Sequence, residues 1–572
     1  LAKVTELKDV AVPTRDGNVL RADAYVPGNA DASGDGNFPA LLLRTPYDKN
    51  RERYNESGHR FAEMGYAVVV QDVRGRHASD GEFRPGFYSA DHDDSEDGYD
   101  SVEWVAEQPW CDGGVGTFGA SYDGWTQWEL AHARPPHLKA MIPSAIAANL
   151  LDRELSGVLR VGRVLTWTVS NLSVDAARRA GLPYYPDSLD EANRLWEERD
   201  RSKWLWHLPL REIPDECMPN MGEHWRRWLD DHTQDHFDFE ARHQIIDVPV
   251  LNITGWYDQQ IGTIKHFTGM KENAPSEHTR ANQHLIIGPW THMLTDMVRK
   301  VGDVDFGPEA VRDYYEIADQ WYGRWLKGRD TAANEWPPIQ LFTMGANSWR
   351  GESEWPLART RFTEFYLHSG GKANTAGGDG TLSQVSPAQE PVDAYIYDPR
   401  DPVMTLYTPD GQQEPLDQRC LDGRRDVLCY STPPLEEPLE VTGPITAKLW
   451  VASSATDTDF VAKLQDVRED GFTQELCHGI VRARYRDSYD HPSLLTPGQV
   501  YELTIAMNPT SNLFRRGHRI RLDITSSDFP NFDRNHNTGG NDYAESTLVT
   551  AQQTLFHDAE RPSHVVLPVI AS

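Results

Sequence analysis

The sequence predicts an α/β domain, interrupted by a helical insertion and followed by an all-β domain. Three observations carry this. Between residues 38 and 145, short apolar runs alternate with amphipathic stretches, as strands and helices do in a largely parallel sheet. Between 147 and 244 the alternation stops, and the chain turns charged, Trp-rich and helical in period. Beyond Asn347, clusters of Gly, Pro, Asp and Ser separate short alternating segments, the texture of a β sandwich or jelly roll. At 572 residues the chain is too long for one ordinary core. The expected parts are 1–146 with 245–346 for the α/β domain, 147–244 for a helical cap and 347–572 for a jelly-roll β domain.

Taken in order, residues 40–44 and 66–71 read as strands, 98–107 as a helix, 115–118 as a strand after a glycine-rich turn, 122–133 as a helix and 138–145 as a strand. The pattern resumes after the insertion with strands at 248–254 and 284–287 and a helix at 309–327. In the last part, 447–451, 501–506 and 520–524 are the clearest strands.

Composition narrows the function classes. The formal charge of −31 repels nucleic acid and anionic membrane surfaces, so polyanion partners are set aside. No apolar run approaches the roughly 20 residues that cross a bilayer. Five scattered cysteines fit neither a disulfide framework nor a zinc ribbon, although Cys420 and Cys429 are close enough in sequence for a local bridge. The first residues do not read as a signal peptide. The expected compartment is the cytoplasm, with export left open by a start at Leu1.

The strongest chemical signal is Gly119-Ala120-Ser121-Tyr122-Asp123-Gly124, between a short strand and a helix. A serine hydroxyl is a poor nucleophile until a base takes its proton, and a sharp strand-to-helix turn exposes it to base and substrate together. Such a nucleophile needs an acid and then a histidine, each just past a later strand. Strand 248–254 leads into Gly255-Trp256-Tyr257-Asp258, and strand 284–287 into Gly288-Pro289-Trp290-Thr291-His292. The order Ser121, Asp258, His292 is that of α/β-hydrolases. His292 would accept the Ser121 proton, and Asp258 would orient the imidazole and stabilise its cation.

These motifs, with Thr45-Pro46-Tyr47, Gln71-Asp72-Val73-Arg74-Gly75-Arg76, Phe514-Arg515-Arg516-Gly517-His518-Arg519 and Phe529-Pro530-Asn531-Phe532-Asp533-Arg534, resemble the cocaine esterase and X-Pro dipeptidyl-peptidase family over nearly the whole chain. In that family the elbow reads G-x-S-Y-x-G, which accounts for the displaced second glycine. The resemblance implies a triad of Ser121, Asp258 and His292, with the backbone N–H of Tyr122 and the phenol of Tyr47 as oxyanion donors. It also implies a homo-oligomer and a cap that lines the acyl pocket. His77 stands where the family usually has glycine.

Six of the 18 tryptophans lie between 167 and 228: Trp167, Trp196, Trp204, Trp206, Trp225 and Trp228. Aromatic walls suit a flat or bulky acyl group or alcohol, although a Trp at helical spacing more often packs a core. Trp167, Trp125 and Gln260 are the pocket candidates. Amine-selective members of the family carry acids two and three places after the triad aspartate, where this chain has Gln260 and Ile261. The expected substrate is therefore a neutral, aromatic or bulky ester or lactone, with X-Pro dipeptide release or β-lactam acylase chemistry as the alternative. No cofactor or metal is implied. His232 and His236 stand at i and i+4 but lack the glutamate of a zinc motif, and the acids at 91–100 fit no calcium register.

Overall fold

The computed structural model describes residues 3–28, 37–86, 92–149, 157–182, 186, 188–230, 237–258, 261–292, 297–406 and 415–571. Seven parallel strands form the centre of a ten-stranded sheet. The order is β1 (Val4–Pro13), β2 (Val19–Pro27), β4 (Ala67–Asp72), β3 (Phe38–Thr45), β5 (Cys111–Ala120), β6 (Leu138–Ser144), β7 (Val250–Gly255), β8 (Gln283–Gly288), β11 (Ile339–Thr343) and β12 (Ser348–Glu352). A short hairpin, β9 (Lys300–Val301) with β10 (Val304–Asp305), stands apart from it. β3, β4 and β6 to β8 are buried almost throughout, which is why they read as continuous apolar runs and not as alternation. Crossovers between β3 and β6 carry α1 (Glu52–Glu63), α2 (Asp94–Ala106) and α3 (Tyr122–His132).

The two antiparallel edges lie outside the sequence expectation. β1 and β2 add a hairpin beside β4, and β11 and β12 add another beside β8. The sheet therefore runs to Glu352, past the expected boundary at 346. The helix expected over 309–327 is divided: Pro308–Ala310 is a 3-10 turn, and the α-helix is Tyr314–Trp325. Asp313 sets that start, since its carboxylate accepts from the N–H groups of Tyr315 and Glu316.

The insertion between β6 and β7 is helical among the described residues, in short pieces. Val161–Thr166 runs into a π-helical turn, Trp167–Leu172, and then Ser173–Arg179; Leu189–Leu195, Arg201–Leu205 and Gly222–Asp230 follow. Most of its tryptophans pack the core. Trp196, Trp204, Trp225 and Trp228 are buried, and Trp206 is exposed against Phe529 of the β domain. His232 and His236 lie outside the described residues.

The C-terminal part is β-rich, in a twelve-membered set of strands with Leu439–Ser453 paired to Tyr501–Phe514 along most of its length. The strands expected at 447–451, 501–506 and 520–524 all fall inside observed ones. This part shares one apolar core with the α/β domain: Trp256, Tyr257, Leu285, Ile287 and Phe342 belong to one cluster with Leu449, Leu503 and Phe514. No bridge joins Cys420 and Cys429. Cys420 is exposed, while buried Cys429 accepts from Arg521 at 3.1 Å. No described helix is long and apolar enough to cross a membrane.

Candidate active site

β3, β5, β7 and β8 run parallel, so the turns after their C-terminal ends share one edge of the sheet. Tyr47, Ser121, Asp258 and His292 all lie in those turns. Open α/β sheets bind ligands at this edge.

Ser121 is the hinge between β5 and α3, with φ 62° and ψ −124°. That conformation costs about 1–3 kcal/mol for a residue with a side chain, and surrounding contacts must hold it. They do. Its N–H donates to the Ser144 carbonyl at 3.0 Å, and its own carbonyl accepts from Gly124 and Trp125 at 2.9 Å. A methyl group on Gly124 would stand 2.9 Å from the Ser144 oxygen, so the helix can approach β6 only with glycine there. Tyr122 opens α3, where backbone N–H groups point out of the helix end.

The Gly-Trp-Tyr-Asp and Gly-Pro-Trp-Thr-His motifs interlock. Gly255 and Gly288 are register partners at the ends of β7 and β8. The Trp290 carbonyl accepts from the Tyr257 N–H at 3.0 Å, and a methyl on Gly255 would meet that same carbonyl oxygen at 2.0 Å. The Trp290 indole donates to Ala310. Beneath the turn, Gln474 of the β domain donates to the Tyr257 hydroxyl at 2.9 Å. This scaffold brings His292 Nδ1 to 2.5 Å from Asp258 Oδ1, while Thr254 donates to Asp258 Oδ2 at 3.0 Å.

Burial pushes the Asp258 carboxyl up, but the charges of His292 and Arg163 and the hydrogen bonds from His292 and Thr254 outweigh it and hold the group below the ordinary carboxylate range. Burial, with Arg163 and Arg160, presses His292 below its usual 6.5 against the opposing pull of Asp258. Both shifts run towards an ionised carboxylate beside an unprotonated imidazole, the arrangement a general base needs.

Tyr47 is 8% exposed, and its N–H donates to the Thr45 hydroxyl at 3.1 Å. Its phenol oxygen accepts from the Trp167 indole at 2.9 Å. Trp167 also lies 6.2 Å from the Tyr122 ring. Trp125 is buried behind that ring, at 5.0 Å, and packs against His92. Gln260 lies outside the described residues.

The role of His77 is visible here. With φ 46° at a position outside helix and strand, it donates its N–H to Asp175 Oδ2 at 2.9 Å, and its Nε2 meets the Pro46 carbonyl at 3.1 Å. Arg76, fully buried, donates to the same Pro46 carbonyl at 2.9 Å and to Leu172 and Asn171 at 2.8 and 3.2 Å. These two residues therefore tie the peptide before Tyr47 to the C-terminal end of the π turn that carries Trp167. Arg74 instead makes ion pairs with Asp97 and Asp16.

Sequence reasoning missed Arg163, whose Nη2 lies 3.0 Å from His292 Nδ1. It also missed Arg53, whose guanidinium stands 5.6 Å from the Tyr47 ring. Nothing in their spacing marks either residue. Among the described residues, one trio has its donor atoms within 4.8 Å: His536, Asp542 and Glu545. Asp542 already pairs with Arg482 and Arg484, which disfavours a metal cation there.

A family model for the X-Pro dipeptidyl-peptidase (S15 family) matches residues 16–294, and one for the X-Pro dipeptidyl-peptidase C-terminal non-catalytic domain matches 332–566. The chain is 39% identical over 591 residues to the cocaine esterase of a Rhodococcus species, covering 98% of each protein. The chain belongs to the cocaine esterase family. Solved structures agree with this family's fold, an α/β-hydrolase domain followed by a β-rich domain. An α-amino acid ester hydrolase superposes with a TM-score of 0.80 at 24% identity, covering 99% of this chain and 97% of that one. An aminopeptidase from a marine sediment Thaumarchaeota archaeon does so at 0.78 and 25% identity, covering 100% and 97%.

Proposed function

We propose that the protein is a serine esterase that works through an acyl-enzyme, with Ser121 as nucleophile, His292 as general base and Asp258 as its orienting acid. The observation that carries this reading is the Asp258–His292 hydrogen bond, placed on the sheet edge where the strained elbow presents Ser121. In the proposed sequence Ser121 Oγ attacks the ester carbonyl and His292 Nε2 takes its proton, while Asp258 accepts from Nδ1–H. The oxyanion is held by the Tyr122 N–H and the Tyr47 O–H. The Trp167 indole donates to the Tyr47 oxygen, which polarises the phenol and strengthens it as a donor. Collapse expels the alcohol, protonated by His292, and water then attacks the acyl-enzyme by the same route.

The substrate class is part of the proposal: a neutral ester or lactone whose acyl or alcohol part is aromatic or bulky, seated against Trp167. Two guanidinium groups support it over an amine-bearing substrate. Arg53 stands over Tyr47 and Arg163 beside His292, and both repel the ammonium of an amino acid ester or a free peptide N-terminus. Initial rates on p-nitrophenyl benzoate, an aromatic lactone, a phenylalanine ester and a Gly-Pro anilide test this. The neutral ester or lactone is expected to be fastest, and preference for the anilide would overturn the assignment.

A further inference from the structure

We propose that Arg163 is a positioning residue for the catalytic base: carried on the inserted helix, it stands against the Asp258–His292 pair and ties that pair to the docking of the β domain. The inference rests on the proposed role of His292.

The geometry is specific. His292 Nδ1 has two neighbours, Asp258 Oδ1 at 2.5 Å and Arg163 Nη2 at 3.0 Å. A ring nitrogen holds one proton, and a guanidinium can only donate. With Asp258 ionised, the Nδ1 proton points to the carboxylate, so Arg163 faces the pair as a fixed positive charge and not as a second hydrogen-bond partner. It attracts the carboxylate, which keeps Asp258 ionised and turned towards the ring. It also opposes an imidazolium, so His292 stays unprotonated at lower pH and releases its proton more readily to the departing alcohol.

Arg163 lies in the first turn of helix Val161–Thr166, and a loop of the β domain holds the start of that helix. The Asp533 N–H donates to the Leu159 carbonyl and the Gly162 N–H to the Pro530 carbonyl, both at 2.8 Å. Arg160 reaches the Asn531 side chain at 3.3 Å. That loop is pinned in turn by buried charge pairs: Asp533 with Arg482 at 3.0 Å and Asp528 with Lys463 at 2.6 Å. Asn531 donates to Asp528 at 3.0 Å. A continuous path of polar contacts therefore runs from the interior of the β domain to the nitrogen of the proposed base. Among the described residues, the charged groups that act most strongly on His292 are Asp258, Arg163 and Arg160.

The test compares the full-length wild type with Arg163→Met, which keeps the stem and removes the charge, and Arg163→Lys, which restores charge. The pH dependence of kcat/KM on p-nitrophenyl acetate is measured for each, alongside the pH dependence of Ser121 phosphonylation, which reads the same base in a variant with slow turnover. The acid limb is expected to move up by about one pH unit in Arg163→Met and to return most of the way in Arg163→Lys. Limbs at the same pH in all three would overturn the proposal, including the case where Arg163→Met merely loses stability or kcat. If wild-type turnover does not depend on Ser121, it is the parent reading that fails.

Discussion

The indole nitrogen of Trp167 donates to the phenol oxygen of Tyr47 at 2.9 Å. The inserted segment thus touches the proposed oxyanion donor directly. Trp167→Phe keeps the ring and deletes the bond, and kcat is expected to fall several-fold, for a loss of about 1 kcal/mol, with KM little changed. Tyr47→Phe, which removes the proposed donor itself, should cost about 10²–10³ in kcat. Steady-state kinetics on one aryl ester distinguishes the two. A raised KM with unchanged kcat in Trp167→Phe would make Trp167 a binding wall only.

Arg76 is the strut behind Tyr47. Arg76→Met would leave the carbonyls of Pro46, Leu172 and Asn171 without this donor and remove the cation 3.7 Å from buried Asp175. The expected loss is about 3–5 kcal/mol of stability, read as a lower denaturant midpoint, together with a fall in kcat.

Gly124→Ala would place a methyl 2.9 Å from the Ser144 oxygen that holds the Ser121 N–H. The elbow must shift, so kcat should drop at least about tenfold, with about 1–3 kcal/mol lost from stability. Kinetics and thermal melting of the variant check this.

How much of this was legible beforehand varies with the physical signal. β3 to β8 were readable because a buried parallel strand is an apolar run, and β7 and β8 each run out into a glycine followed by aromatic residues, Gly255-Trp256-Tyr257 and Gly288-Pro289-Trp290. The edge strands β1 and β12 were not, since the half-exposed Val4–Pro13 and Ser348–Glu352 carry mixed polarity. The position of Asp313 explains why one expected helix begins later. Arg163 and the Arg76–His77 strut act across contacts between residues far apart in sequence, such as 76 with 172 and 163 with 292. No local pattern encodes those meetings.

With His292 as the proposed base, the acid limb of the rate profile follows from its surroundings. Burial and the neighbouring arginines lower it below 6.5, more than Asp258 raises it. Since the base must be neutral, kcat/KM should be full above 6.5 and lost as pH falls through the lowered pKa. Asp258→Asn removes the one opposing charge, so the limb should move further down, while kcat falls by about 10⁴ through loss of the working tautomer. A limb above 6.5 in the wild type would contradict this reading of the electrostatics.

The most direct test of the central claim is the site of the adduct left by an aryl fluorophosphonate, read by peptide mass mapping after the protein loses its esterase activity. The account predicts one adduct, on Ser121, that fails to form when His292 is replaced by alanine. An adduct on another residue, or full turnover in a protein labelled at Ser121, would contradict it.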